Sequence, residues 1–128
     1  MFEKLAESSG NVVGFKAIGK LKASDFKALE PEVKALIEQD RIKKQYQYRE
    51  GSIRLLFDMA EYKGETAKGW IADYKFGFEF HDQIDKMAIV GDKTWEEWVT
   101  HLAKYSHARN AKFFHSADIG KAWAWLRE

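Results

Sequence analysis

A chain of 128 residues with a formal net charge of +1, 45% hydrophobic and 32% charged residues has the balance of an ordinary globular domain, long enough to bury its own core. So small a charge excess argues against a nucleic-acid-coating protein, and the absence of cysteine excludes disulfides, thiolate catalysis and cysteine-ligated zinc, which suits a reducing cytoplasm. The start Met1-Phe-Glu-Lys-Leu-Ala-Glu7 is not a secretory signal and no run of about 18 apolar residues appears, so one cytoplasmic domain over residues 1–128 is expected.

In chain order, residues 2–7 and 11–20 flank Ser8-Ser-Gly-Asn11 and predict a β-hairpin, with Val12, Val13, Phe15, Ala17 and Ile18 on the better-buried strand. Ser24 and Asp25 are N-cap candidates for a helix whose stripe is Phe26, Leu29, Val33, Leu36 and Ile37, kinked or split at Pro31. Ile53-Arg-Leu-Leu-Phe57 predicts a strand closed by Asp58, and Lys86-Met-Ala-Ile-Val90 a central strand covered on both faces. Thr94-x-x-Glu97 forms a capping box for a helix with Trp95, Trp98, Val99 and Leu102 inward. Lys112–His115 reads as the last strand. Ser116 or Asp118 then caps a helix with Ile119, Ala122, Trp123 and Leu126 buried and Trp125 off the stripe.

The segment Trp70-Ile-Ala-Asp-Tyr-Lys-Phe-Gly-Phe-Glu-Phe80 carries five aromatic residues in eleven. Lys75–Phe80 also alternates like a strand, but parallel strands at 53–57 and 86–90 need a crossover, which favours a helix. At roughly 100° per residue, Trp70, Ile71, Tyr74 and Phe78 form one stripe, expected to face the sheet, while Phe76 and Phe80 point nearly the opposite way. That second pair needs its own cover: the domain's core, under the first helix or the 41–49 loop, another chain, an apolar molecule or a membrane.

Gly19-Lys-Leu21 before a helix with Phe26, Leu56-Phe-Asp58, Trp70, Met87-Ala-Ile-Val-Gly-Asp-Lys-Thr-Trp95 and Ala122-Trp-Ala-Trp-Leu126 together resemble the SpoIIAA-like family over roughly residues 12–126. The resemblance implies an α/β, STAS-like mixed sheet opened by an N-terminal hairpin and continued by alternating helices and strands, a fold related to anti-anti-sigma factors and CRAL-TRIO lipid carriers. Fold alone does not transmit function. The phosphorylatable serine of anti-anti-sigma factors has no counterpart in Asp58-Met-Ala-Glu-Tyr-Lys-Gly64, and Thr66 falls late, where it reads as a helix cap.

Catalytic and metal signals are sparse. Glu97 and His101 stand four apart, followed by His107 and His115, but a pair at that spacing reads as a surface helix contact rather than a metal site. His81-Asp82 reads as a helix end, and no nucleophile motif or phosphate-cradling glycine loop occurs. Arg41–Arg49 interleaves basic residues with Tyr46 and Tyr48 and reads as a solvated loop or helix tail. The expectation is a non-enzymatic binding module without cofactor, metal or nucleic acid, cytoplasmic and peripheral to a membrane. In it Trp70, Ile71, Tyr74, Phe76, Phe78 and Phe80 form a mobile lid helix over an apolar groove, hinged at Gly64, Gly69 and Gly77, for a hydrophobic ligand or lipid surface, with Lys63, Lys68 and Lys75 at anionic head groups. The alternative is a STAS-type protein-interaction module, with a homodimer or a protein partner on the same surface.

Overall fold

Three strands with the apolar runs expected of a buried parallel sheet form the centre of the structure, a computed structural model that describes residues 1–43, 53–80, 82–92 and 111–128. They are β2 (Val12–Leu21), β3 (Ile53–Glu65) and β4 (Ile84–Gly91), with β1 (Phe2–Lys4) and β5 (Ala111–His115) outside them, giving the order β1-β2-β3-β4-β5. Only β1–β2 is antiparallel; the other pairs are parallel. Helices α1 (Ala23–Lys43) and α2 (Ala67–Phe80) connect β2 to β3 and β3 to β4, and a 3-10 turn at Ser116–Asp118 leads into α3 (Ile119–Arg127). The hairpin, the α/β alternation and the mixed sheet are those expected from the sequence.

Strand alternation builds two cores from one sheet. The register aligns Val13, Leu55 and Met87, then Phe15, Phe57 and Ile89, on the face covered by α1 and α2. The neighbouring residues Val12, Leu56, Ala88 and Val90 look the other way, onto Ala122, Trp123 and Leu126 of α3. Gly14 shares that second face because a Cβ there would meet the Trp123 ring at 2.5 Å. Arg54 secures α3 from the same side, bonding the Leu126 carbonyl and pairing with Asp85 at 3.1 Å, while Lys86 donates to the Trp125 carbonyl at 2.9 Å. Two cations thus meet carbonyls of the helix end, where the Trp125 carbonyl also accepts the Glu128 N–H at 3.4 Å.

Several expectations are corrected. The first strand ends at Lys4, not residue 7. Strand β3 does not close at Asp58: its pairing with β4 stops at Asp58↔Val90, but pairing with β2 continues to Leu21↔Glu65. Helix α1 runs through Pro31, which is exposed, so water can take the carbonyl that the imino ring cannot bond. Asp25 is not its first cap but lies one turn in, where its carboxylate accepts the Lys22 N–H at 2.7 Å, the second half of a capping box. Neither candidate cap of the last helix holds it by a side-chain bond; of its expected stripe Ala122, Trp123 and Leu126 are buried and Ile119 is half-buried. Trp125 is half-buried against Phe114, with Lys86 and Lys112 against its ring. The helix expected after Thr94, with Glu97, His101 and His107, the 44–49 part of the basic segment and His81 lie outside the described residues.

Candidate functional site

Helix α2 is started and seated by its first turn. The Thr66 N–H donates to the Leu21 carbonyl at 2.9 Å, and its Oγ1 accepts the Gly69 N–H at 2.9 Å, so Thr66 is the N-cap of the aromatic helix. Gly69 then comes so close to β2 that a Cβ would lie 2.5 Å from the Leu21 carbonyl oxygen. Gly69 is a packing contact, not the hinge expected of it. Gly77 is buried as well, whereas Gly64, at φ +97°, makes the turn out of β3 that only glycine takes without strain.

The face that turns to the sheet is the opposite of the one expected. Gly69, Asp73, Phe76, Gly77 and Phe80 are buried, with Ala72 half-buried beside them, a set spaced by threes and fours along one side of the helix. Its small residues let the helix lie close to the strands, and two phenylalanines fill what remains. Phe76 and Phe80 contact each other at 4.9 Å between ring centres, and Phe76 meets Phe26 of α1 at 6.4 Å. Their cover is the domain's own core, under the first helix.

Asp73 is the polar member of this buried face. Tyr62, at the end of β3, is buried nearby. Its phenol is held above the usual tyrosine range, first by burial, then by the charge and hydrogen bond of Glu65 and the charge of Asp73. Tyr62 thus keeps its proton at the edge of the core, hydrogen-bonded to Glu65 and within reach of the Asp73 charge.

The stripe expected to be buried is exposed. Trp70 is 48% accessible, Ile71 53%, Tyr74 53% and Phe78 63%. Trp70 and Tyr74 lie nearly parallel, 13° apart at 6.2 Å, as a stacked aromatic pair. With about half of each side chain open, the four present roughly 400 Å² of mostly apolar surface, within the size range of the largest patches on monomers, which are often functional.

Beside this face, between α1 and α2, runs a groove of about 280 Å³. Phe26, Ile71, Ala72 and Phe76 give it apolar walls, and Lys27, Glu30, Lys68, Lys75 and Glu79 its charges. Lys34 bridges the two glutamates, at 2.9 Å from Glu30 and 3.7 Å from Glu79, and its ammonium is held above the usual lysine range by the Glu30 hydrogen bond first and Glu79 after it. Among the described residues Lys27, Lys68 and Lys75 form no ion pair. Of the expected residues, Ile71, Phe76, Lys68 and Lys75 are therefore together at this groove; Trp70, Tyr74 and Phe78 stand on the adjoining outer face; Phe80 is core, and Lys63 is exposed on β3, away from the groove. Sequence reasoning missed Lys27 and Glu30, whose spacing of three along α1, flanking its apolar stripe, was the available signal. Among the described residues no cluster of three or more metal-binding side chains occurs, and no helix is long and apolar enough to cross a membrane.

A parallel sheet opened by an antiparallel hairpin, with α1 and α2 on one face and α3 on the other, defines a STAS-type domain. The SpoIIAA-like family profile matches residues 12–127, and the chain belongs to that family. It is similar to the crystal structure of an uncharacterized protein of the DUF3478 family with a SpoIIAA-like fold from Shewanella loihica PV-4, at 25% identity and a TM-score of 0.73, over 98% of this chain and 90% of that one. No protein of curated function was found to match.

Proposed function

We propose that this domain is a non-enzymatic binding module that attaches to an anionic lipid surface through the outer face of α2. Trp70, Ile71, Tyr74 and Phe78 enter the interfacial layer and Lys68 and Lys75 lie beside the head groups. The observation that carries the reading is the exposure of four large apolar side chains on one face of a helix that is anchored by Phe76 and Phe80 on its other side. Aromatic side chains with a polar edge sit comfortably at membrane interfaces, and neighbouring lysines add attraction to anionic lipid. Covering roughly 400 Å² at about 25 cal/mol per Å² has a ceiling near 10 kcal/mol, from which the costs of association are subtracted.

The stacked Trp70–Tyr74 pair also favours a second reading, in which the same face binds a protein partner or a second copy, since interface centres are rich in such rings. The lipid reading comes first because a standard protein interface takes about 800 Å² from each partner, roughly twice this patch. The test is flotation with vesicles of phosphatidylcholine containing phosphatidylserine, alongside mass measurement of the lipid-free protein by light scattering. The protein is expected to float, and the triple variant Trp70→Ser, Tyr74→Ser, Phe78→Ser to remain at the bottom with an unchanged circular dichroism spectrum. Equal flotation of both, or none for either, overturns the lipid reading; a dimer mass that falls to a monomer in the variant favours the second.

A further inference from the structure

We infer that the groove between α1 and α2 is a site for a dissolved single-chain amphiphile with an anionic end, of the fatty-acid or alkyl-phosphate class. The inference rests on α2 as the binding element but requires no membrane.

Its first support is the split between walls and charges. Phe26, Ile71, Ala72 and Phe76 offer an acyl chain an apolar bed, and an apolar bed alone would take any oil. The charges narrow the choice. Glu30 and Glu79 are both occupied by Lys34, which leaves Lys27, Lys68 and Lys75 as the cations without an ion-pair partner among the described residues. Lys68 and Lys75 are seven residues apart on α2, about 10 Å along the axis, with Lys27 opposite on α1. An anion at either end of the chain's bed therefore meets an unpaired ammonium. An uncharged ligand would leave this excess unused, and a cationic one would be repelled.

The second support is size. A groove of about 280 Å³ lies just below the range of small-ligand clefts, roughly 300–1,000 Å³. It has room for one chain and not for a two-chain phospholipid. Ile71 stands at the boundary between the groove and the outer apolar face, so a chain longer than the groove continues onto α2 instead of into water.

The test is calorimetric titration of the intact protein with decyl phosphate kept below its micelle-forming concentration, with inorganic phosphate and decanol as separate ligands. Saturable one-to-one binding of decyl phosphate is expected, with both partial ligands binding weakly. The variant Lys27→Gln, Lys68→Gln, Lys75→Gln is expected to lose about tenfold or more in affinity, the order of one charge-assisted hydrogen bond, with its thermal unfolding unchanged. The outer-face variant Trp70→Ser, Tyr74→Ser, Phe78→Ser is expected to keep the binding that it has lost toward vesicles, which separates failure of this inference from failure of the surface reading. Decanol binding as tightly as decyl phosphate, inorganic phosphate binding as tightly, or undiminished binding by the glutamine variant each overturns it.

Discussion

Phe76 and Phe78 are two residues apart on one helix, yet their rings have opposite surroundings: Phe76 is 4% accessible and Phe78 63%. Phe76→Ala removes a ring that touches Phe26 and Phe80 and leaves a cavity where α1, α2 and the sheet meet, so it is expected to cost about 3–5 kcal/mol. Phe78→Ala forfeits only the buried third of its ring, under about 1 kcal/mol, and alanine's better helix propensity returns roughly half of that, for a net change within about 0.5 kcal/mol. The assay is urea unfolding followed by far-ultraviolet circular dichroism. With a slope of about 2 kcal/mol per molar, Phe76→Ala lowers the midpoint by roughly 1.5–2.5 M and Phe78→Ala leaves it nearly in place, the slopes staying equal. Similar midpoint shifts for the two variants, or a larger one for Phe78→Ala, would refute the orientation of α2 and with it the exposed face on which the functional reading stands.

Gly69→Ala separates a packing role from a hinge role. In an exposed helix interior this change stabilises by about 1 kcal/mol, but here the added methyl meets the Leu21 carbonyl, and thermal unfolding is expected to show a loss of about 1–3 kcal/mol. Tyr62 gives a pH signature: its phenol is raised above the ordinary value of about 10, so in an absorbance titration Tyr62 is expected to stay protonated until the fold is lost in alkali, and Tyr62→Phe removes that late step. Because the folded state holds this proton more tightly than the unfolded chain, Tyr62's contribution to stability is full below about pH 10 and declines as pH rises above it; a stability curve flat through that range would refute the assignment.

The sheet was legible because β4 and the first half of β3 carry the apolar runs Met87–Val90 and Leu55–Phe57, as expected of strands covered on both faces, and the stripe of α3 was legible because Ala122, Trp123 and Leu126 leave one arrangement for a short helix. The second half of β3 was not. Met59–Glu65 is largely polar and pairs there with β2 alone, so no apolar run announces it. The existence of α2 could be read from its place between parallel strands, but its rotation could not, since large apolar residues occur on both sides. What decides the rotation is the row of small residues at Gly69, Ala72, Asp73 and Gly77, and the weight of that row depends on the Leu21 carbonyl lying beneath it, a contact that spacing along one helix does not contain. Asp73 is part of that row although a charge on a helix ordinarily marks the wet side; it is buried near Tyr62.

The reversed orientation changes the mechanism that the proposed binding would use. A hinged lid would have to open before binding and be ordered again afterwards, and both steps subtract from affinity. A helix packed by Phe76, Phe80 and the Gly69 contact has met that cost in folding, so on the proposed reading Trp70, Ile71, Tyr74 and Phe78 need no reordering to bind. Folding covers only about half of these four side chains, and polar residues at the same positions would leave the core of Phe26, Phe76 and Phe80 intact and make the surface more soluble. Binding to a preformed face of this kind should therefore leave the backbone circular dichroism unchanged while shifting the tryptophan emission to the blue, whereas a lid mechanism would alter both.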